Sequence, residues 1–375
     1  MTYDTGSGKR HAASLALSEE AVAAARLIGP LDPARAEILY GALDTCQREL
    51  YTLGRRAAGL AMRAEMLAIG RAHAELFAGP VVKGLNTWAR GLSEAGRYTE
   101  AADAMTELIE ASLSEGPVSG DLTWSLLEWI AALHSDGRSG QALTAFETLV
   151  SMEAAEAAND RGPMACHLYS LIGYATMLDT YGRVEQAALT RQEALALLTE
   201  LADTGERKSW SSYQTTFWAV LLSFSGADSE HPASDGPRPP SGAALMQWSP
   251  GAKQWYFDSR PALREQIDAV TAQATEDPDQ HLAELVRLHR TLTARSAVYW
   301  EDRTHLFAER VRSLYDDGVD LGRRLSQHDP VDGTRTLAGV LIDRSNFHTA
   351  AREFKPALDD FREALDCLGE AAGGW

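Results

Sequence analysis

Two groups of side chains have types and spacings that could support metal or acid–base chemistry. Glu301, Asp302 and His305 place two carboxylates and an imidazole within about one helical turn, and His281 and His289 lie two turns apart. A bound metal ion needs three or more convergent ligands at defined spacings, and the sequence contains no HExxH or HxH pattern. We therefore expect no metal and no cofactor, and we assign no catalytic residue.

The segment DTGSGKR, residues 4–10, is similar to a phosphate-binding loop but does not meet its requirements. That motif needs a glycine where Tyr3 stands, and a serine or threonine where Arg10 follows Lys9. No nucleotide site is predicted from this segment. We expect residues 1–17 to form a disordered tail.

The composition restricts the classes of partner. The chain has 375 residues and a formal net charge of −18. A surface of that sign repels phosphate, so nucleic acid and anionic membranes are not expected as partners, and a neutral or basic peptide or protein is favoured. The simpler interpretation is that the acidity only keeps the protein in solution. No apolar run approaches 18 residues and no secretory segment begins the chain, so we expect a cytoplasmic protein without a membrane span.

One short pattern recurs along the chain: a turn, then an alanine, then a bulky residue about one helical turn later. Three copies begin at Gly96, Gly137 and Gly182, separated by 41 residues (96 to 137) and 45 residues (137 to 182), and a weaker copy begins at Arg352. Two antiparallel helices joined by a tight turn need the backbone freedom of glycine. The alanine lets the two backbones approach, and the bulky residue fills the space beside it on the same face. The pattern therefore predicts helical hairpins.

With these signatures the chain resembles the tetratricopeptide repeats, a family of stacked helix-turn-helix units, and in particular the long-helix variety common in bacterial regulators and scaffolds. The copies cover residues 82–204 and 333–370. They exceed the family's period of about 34 residues and most lack its closing proline, so the resemblance is to tetratricopeptide-like units and not to a strict array. It implies an all-α fold, a right-handed superhelix of antiparallel helix pairs.

The remaining segments are interpreted with the same helix-pair unit. We predict pairs at 35–55 with 57–78, at 279–300 with 302–327, and at 208–224 with 261–275, where Pro261 lies in the first turn of its helix. The last pair is interrupted at 225–260 by an insertion rich in proline and aromatic residues. It is either a flap over the groove or a surface loop anchored by its aromatic side chains. We expect one repeat domain over 18–375 that contains this insertion.

Nine aromatic side chains are candidates for contact with a ligand or partner. Some lie on predicted first helices, and the others lie in the insertion. In the tetratricopeptide family that the chain resembles, first helices line the concave surface. The alternative is that they fill the core between units. They are Trp88, Trp129, Tyr174, Trp218 and Trp300 on the helices, and Trp248, Trp255, Tyr256 and Phe257 in the insertion.

Three functions are consistent with these observations. The leading hypothesis is a non-enzymatic scaffold that binds a protein or peptide on the concave face of the superhelix. The second is a regulatory sensor of a peptide or small-molecule signal that acts through a protein partner. The third is an enzyme built on the repeat scaffold, with its site near the insertion at Asp258, Arg260, Glu301 and His305. The ligand and the oligomeric state are not predicted.

Overall fold

The protein, seen here as a computed structural model, is helical throughout its described residues, which are 5–32, 34–73, 80–114, 121–208, 250–300 and 307–369. These ranges contain no β-strand, which confirms the predicted all-α class. The helices are α1 (Thr5–Leu27), α2 (Arg35–Thr52), α3 (Arg56–Ala72), α4 (Pro80–Glu94), α5 (Tyr98–Ser114), α6 (Asp121–Ser135), α7 (Ser139–Ala158), α8 (Met164–Thr180), α9 (Val184–Thr204), α10 (Pro250–Glu276), α11 (Pro278–Trp300), α12 (Phe307–His328), α13 (Asp332–Ala350) and α14 (Phe354–Leu368).

The described residues fall into two compact units. The first unit comprises residues 5–138 and 250–255, and the second comprises residues 139–208 and 256–369. In the first unit each helix from α1 to α5 packs against the next helix of the chain. The expectation of a single repeat domain over 18–375 stays a prediction.

Helix α1 corrects the prediction of a disordered tail at residues 1–17. It begins at Thr5, and Leu15 and Val22 are buried against the core of α2. His11 Nδ1 lies 2.9 Å from a carboxylate oxygen of Glu49, and the Ser14 hydroxyl donates to the other oxygen at 2.9 Å. Disorder was expected because the segment lies at a chain terminus, but packing against α2 stabilises the helix.

The turns between paired helices share one geometry. Gly54, Gly96, Gly137 and Gly182 have φ between 72° and 78°, in the left-handed region that favours glycine. The N–H of the arginine after each glycine donates to the carbonyl five residues earlier, as Arg97 does to Leu92 at 2.9 Å. This is a Schellman motif, and the same arginine precedes the first residue of the next helix. One residue therefore ends one helix and starts its partner.

We call α2, α4, α6, α8, α11 and α13 the first helices, and α3, α5, α7, α9, α12 and α14 the second helices. Five residues after each turn glycine lies a small residue on the second helix. Ala101, Ala142 and Ala187 are fully buried there, as is Ala357 in the weaker copy, which confirms the predicted close approach. The α2–α3 hairpin has Gly59 at this position, because the ring of Tyr51 lies directly over its Cα.

The second unit departs from simple chain order. Its helices pack as α7 on α8, α8 on α9, and then in sequence from α11 to α14. In addition α14 packs on α9 and α13 contacts α8, so the last hairpin of the chain is stacked on the α8–α9 hairpin. Phe354 and Phe361 of α14 are buried with Leu168, Leu198 and Leu201 in the shared core. The sequence pattern predicts hairpins but does not indicate this order of stacking.

Helix α10 corrects the end of the predicted insertion at 225–260. It begins at Pro250, so residues 250–260 are helical, while 209–249 lie outside the described residues. Pro250 occupies the first helical position, where its missing N–H costs nothing. Pro261 is therefore in the interior of the helix and not in the first turn, and it cannot donate to the carbonyl of residue 257. Beyond it, Leu263 and Val270 are buried in the core of the second unit.

A pair of glycine substitutions in the first unit tests the close approach at Tyr51. A Cβ at residue 59 would lie 2.6 Å from the Tyr51 ring, so Gly59→Ala should lower the free energy of unfolding by about 1–3 kcal/mol. Gly41 on α2 has open space around it, so Gly41→Ala should raise that free energy by about 0.5–1 kcal/mol. Urea unfolding of the full chain measures both. Equal stability of the two variants would contradict the packing described.

Candidate functional site

An ion pair joins two successive first helices in the first unit. The Arg90 guanidinium on α4 donates to both carboxylate oxygens of Glu128 on α6, at 3.0 and 3.1 Å from Nε. Glu128 is only 4% exposed, and burial raises the pKa of its carboxyl, while the Arg90 charge acts in the opposite direction. A buried carboxylate in this position is held charged by its bidentate partner. The pair therefore sets the register between α4 and α6.

The second unit contains an equivalent pair between α11 and α13. The Arg290 guanidinium donates to both oxygens of Asp343, from Nε at 2.5 Å and from Nη2 at 3.2 Å. Burial raises the pKa of Asp343, and the Arg290 charge opposes that rise. The guanidinium also lies close to the α13 backbone, since a Cβ at Gly339 would be 3.4 Å from it. In each unit, therefore, a buried arginine–carboxylate ion pair joins two first helices.

A third polar cluster joins α2, α3 and α4 in the first unit. The Arg63 guanidinium lies 3.7 Å from the centre of the Tyr51 ring, and it donates to Gln47 Oε1 at 2.9 Å and to the Thr87 carbonyl at 3.0 Å. Burial raises the pKa of Tyr51 to about 12 and lowers that of Arg63. Gly91 permits the contact, because a Cβ there would lie 2.6 Å from the Tyr51 hydroxyl.

The fold is a tetratricopeptide-like helical repeat. The paired helices, their three-residue turns and the buried small residue after each turn establish it within each unit. No family model matches the chain, and no curated protein matches it. Among solved structures it is similar to the tetratricopeptide repeat domain of P58(IPK), with 12% identity, 96% of this chain and 93% of that chain covered, and a TM-score of 0.17. At that score the fold assignment rests on the hairpin geometry alone.

Several buried polar atoms in the described residues have no hydrogen-bond partner, and they are concentrated on the first helices. Most buried polar groups in folded proteins are paired, so each such atom needs an explanation, and an ordered water is a common one. All of them except Tyr315 Oη lie on first helices: Arg35 Nε, Tyr51 Oη, Asn86 Oδ1, Tyr169 Oη, Ser170 Oγ, His289 Nδ1, Ser296 Oγ, Asn346 Oδ1 and Thr349 Oγ1.

A small cavity in the second unit adjoins two of these atoms. It has a volume of about 10 Å³ and lies between α11, α12 and α13, with His289, Arg290, Thr293, Tyr315, Gly318 and Asp343 on its wall. Burial lowers the pKa of His289 below its ordinary value of 6.5. Within the described ranges no group of three or more histidine, cysteine or carboxylate side chains is placed to hold a metal ion. The helices in those ranges are also too short or too polar to cross a bilayer.

The aromatic side chains predicted as ligand contacts are described in part. Trp88, Trp129 and Tyr174 lie half-buried on first helices. The Trp129 indole donates to Thr106 Oγ1 on α5 at 3.0 Å, and the Tyr174 ring lies 5.7 Å from that of Phe146 on α7. These contacts give both residues a packing role beside any role in binding, which stays a prediction.

The other predicted positions are outside the described structure. Trp218 and Trp248 lie outside the described residues, as do the side chains of Trp255, Tyr256, Phe257 and Trp300. The carboxylate partners Glu128 and Asp343 were not predicted from the sequence. The spacing of Arg90 and Glu128, 38 residues or close to one repeat, is the signal that could have indicated the first pair.

Replacement of Arg90 should show how much the buried Glu128 carboxylate lowers the free energy of unfolding when its partner is absent. Arg90→Met leaves the carboxylate without its cation, which should lower the free energy of unfolding near neutral pH by about 3–5 kcal/mol. The Glu128 pKa would then rise further above its ordinary value of 4.5, so the folded state would bind a proton more tightly than the unfolded state. The difference from the wild type should therefore shrink as the pH falls from about 7 to about 5. Chemical unfolding across that range measures it, and Arg48→Met, at an exposed pair on α2, is the control.

His289 should make the second unit sensitive to acid. Its pKa is lowered in the folded state by burial, so the unfolded chain takes up a proton at higher pH than the folded chain does. The stability from neutral His289 is complete above its ordinary pKa of 6.5, and it is lost as the pH falls from that value through the lower pKa of the folded state. Unfolding measured between about pH 7.5 and 5.5 should show a smaller pH dependence in His289→Asn than in the wild type. Identical pH dependence would contradict this assignment.

Proposed function

We propose that this protein is a non-enzymatic scaffold that binds a peptide or protein partner along its first helices. The observation that carries the proposal is the distribution of unpaired polar atoms, which lie on α2, α4, α8, α11 and α13 with Tyr315 as the exception among the described residues. These atoms are closed to solvent in the free chain, so a partner would reach them only after local rearrangement of side chains. A polypeptide main chain offers a donor and an acceptor at every residue, which suits single polar atoms of this kind. Half-buried Trp88 and Trp129 on α4 and α6 would add apolar contact.

The charge of the chain supports one class of partner. With a net charge of −18, long-range attraction favours a neutral or basic peptide over an acidic one. The unpaired atoms are hydroxyl, amide and imidazole groups, apart from Arg35 Nε, so they suit neutral hydrogen-bonding groups. We therefore expect main-chain recognition with a preference for peptides of low negative charge.

The two alternative functions need different features of the described residues: a small-molecule sensor needs a pocket, and an enzyme needs catalytic side chains. A sensor of small molecules needs a pocket of about 300–1,000 Å³, and the cavity between α11, α12 and α13 is far below that volume. For an enzyme, Asp258 and Arg260 lie on α10, while Glu301 and His305 are outside the described residues. A sensor of a peptide signal would use the same first-helix surface as a scaffold.

Peptide selection followed by substitution tests the proposal. A displayed library of random peptides should enrich sequences of low negative charge that bind the full chain. Replacing Asn86 and Asn346 by alanine should weaken the selected peptides by about tenfold for each lost hydrogen bond. Gln141→Ala and Gln186→Ala, which remove exposed amides from the second helices α7 and α9, should leave binding unchanged. The proposal fails if no peptide is enriched, or if both pairs of variants bind equally well.

A further inference from the structure

The cavity between α11, α12 and α13 brings together two buried polar atoms that lack a partner. His289 on α11 is 7% exposed and Tyr315 on α12 is 2% exposed, and both line the cavity. Neither His289 Nδ1 nor Tyr315 Oη has a hydrogen-bond partner in the described residues. An unpaired hydroxyl and an unpaired ring nitrogen beside one cavity are each costly to bury, by about 1–3 kcal/mol.

The size of the cavity restricts what can occupy it. Its volume of about 10 Å³ is at the lower limit for a single water molecule. Apolar cavities of protein interiors stay dry, whereas cavities with two to four polar groups hold ordered water. The charged groups on the wall already neutralise one another, because Arg290 donates to both oxygens of Asp343. The site therefore suits a neutral molecule and not an ion.

We propose that this cavity is a binding site for one structural water molecule that joins α11 to α12. The water accepts a hydrogen bond from the Tyr315 hydroxyl and donates one to His289 Nδ1. Thr293 provides a third contact, since its hydroxyl donates to the His289 carbonyl at 2.9 Å and still has lone pairs that can accept. Three hydrogen bonds are typical of a buried water. In this arrangement His289 is neutral, with its proton on Nε2.

The site shares one atom, His289 Nδ1, with the unpaired first-helix atoms considered above, and the water would occupy that atom; the other atoms of that set are not involved. It connects a first helix to a second helix inside the second unit, and most of its wall is formed by buried residues. The bound water supplies hydrogen bonds that His289 and Tyr315 lack inside the α11–α12 hairpin. Failure of the peptide experiment would leave this proposal unchanged.

Gly318 offers a substitution that removes the water without a clash. A Cβ at this position would lie 3.5 Å from His289 Nδ1 and 3.5 Å from Val340 Cγ1, which is ordinary contact. If the site holds water, Gly318→Ala displaces it and should lower the midpoint of thermal unfolding by about 2–4 °C. If the cavity is dry, the same change fills space and removes a helical glycine, so the midpoint should rise. Gly41→Ala on α2, with open space around it, is the matched control and should raise the midpoint.

Tyr315→Phe provides an independent test of the same bridge. Removal of the hydroxyl should lower the midpoint if it donates to water, and should raise it if the hydroxyl is simply unpaired. Because both substitutions break one bridge, the double variant should be less destabilised than the sum of the two single variants. A high-resolution crystal structure should show a water within about 2.7–3.2 Å of both His289 Nδ1 and Tyr315 Oη. An empty cavity, or a rise in the midpoint of either single variant, would overturn the proposal.

Discussion

The architecture depends on the close approach of two helices immediately after a three-residue turn. A residue with φ near 72–78° reverses the chain, and five positions later only alanine or glycine fits against the facing helix. Gly59 shows how strict this is, because the Tyr51 ring occupies the space of a Cβ. A larger residue would separate the helices and misplace every side chain beyond the turn. The antiparallel pairing of each first helix with its second helix follows from this local constraint.

The turn between α13 and α14 has an arginine where the turns described above have glycine, and its contacts show how that residue is held. Between α13 and α14, Arg352 takes φ 63°, which costs a non-glycine residue free energy. The next residue, Glu353, accepts from Arg312 on α12 at 2.6 and 2.9 Å and lies 2.7 Å from His348 Nδ1. These bonds lower the pKa of Glu353, with Arg312 as the main cause. Charge-assisted contacts from two neighbouring helices therefore hold a turn that glycine holds elsewhere.

The hairpins could be predicted from the sequence because their determinants are local. The turn and its buried alanine lie within six residues, and three strong copies were sufficient to indicate the fold. The α2–α3 hairpin was predicted only as a helix pair, since Gly59 replaces the expected alanine of the pattern. The stacking of α14 on α9 was not predictable, because it joins segments about 160 residues apart through generic apolar side chains such as Phe361 and Leu198. Helix α1 was missed because a chain terminus was expected to be disordered, whereas Leu15 and Val22 pack on α2.

The candidate site was less predictable than the fold for a physical reason. Polar side chains on first and second helices look alike in sequence, but they form different contacts in the structure. On the second helices, arginine and glutamate pair across neighbouring hairpins at the exposed surface, as Arg71 does with Glu107 and Arg323 with Glu363. On the first helices, Arg90 with Glu128 and Arg290 with Asp343 form buried pairs, whereas several buried hydroxyl and amide groups remain unpaired. Surface ion pairs contribute little to the free energy of unfolding, whereas unpaired buried polar groups lower it substantially. Added hydrogen bonds would therefore stabilise the protein most at the buried polar groups of the first helices.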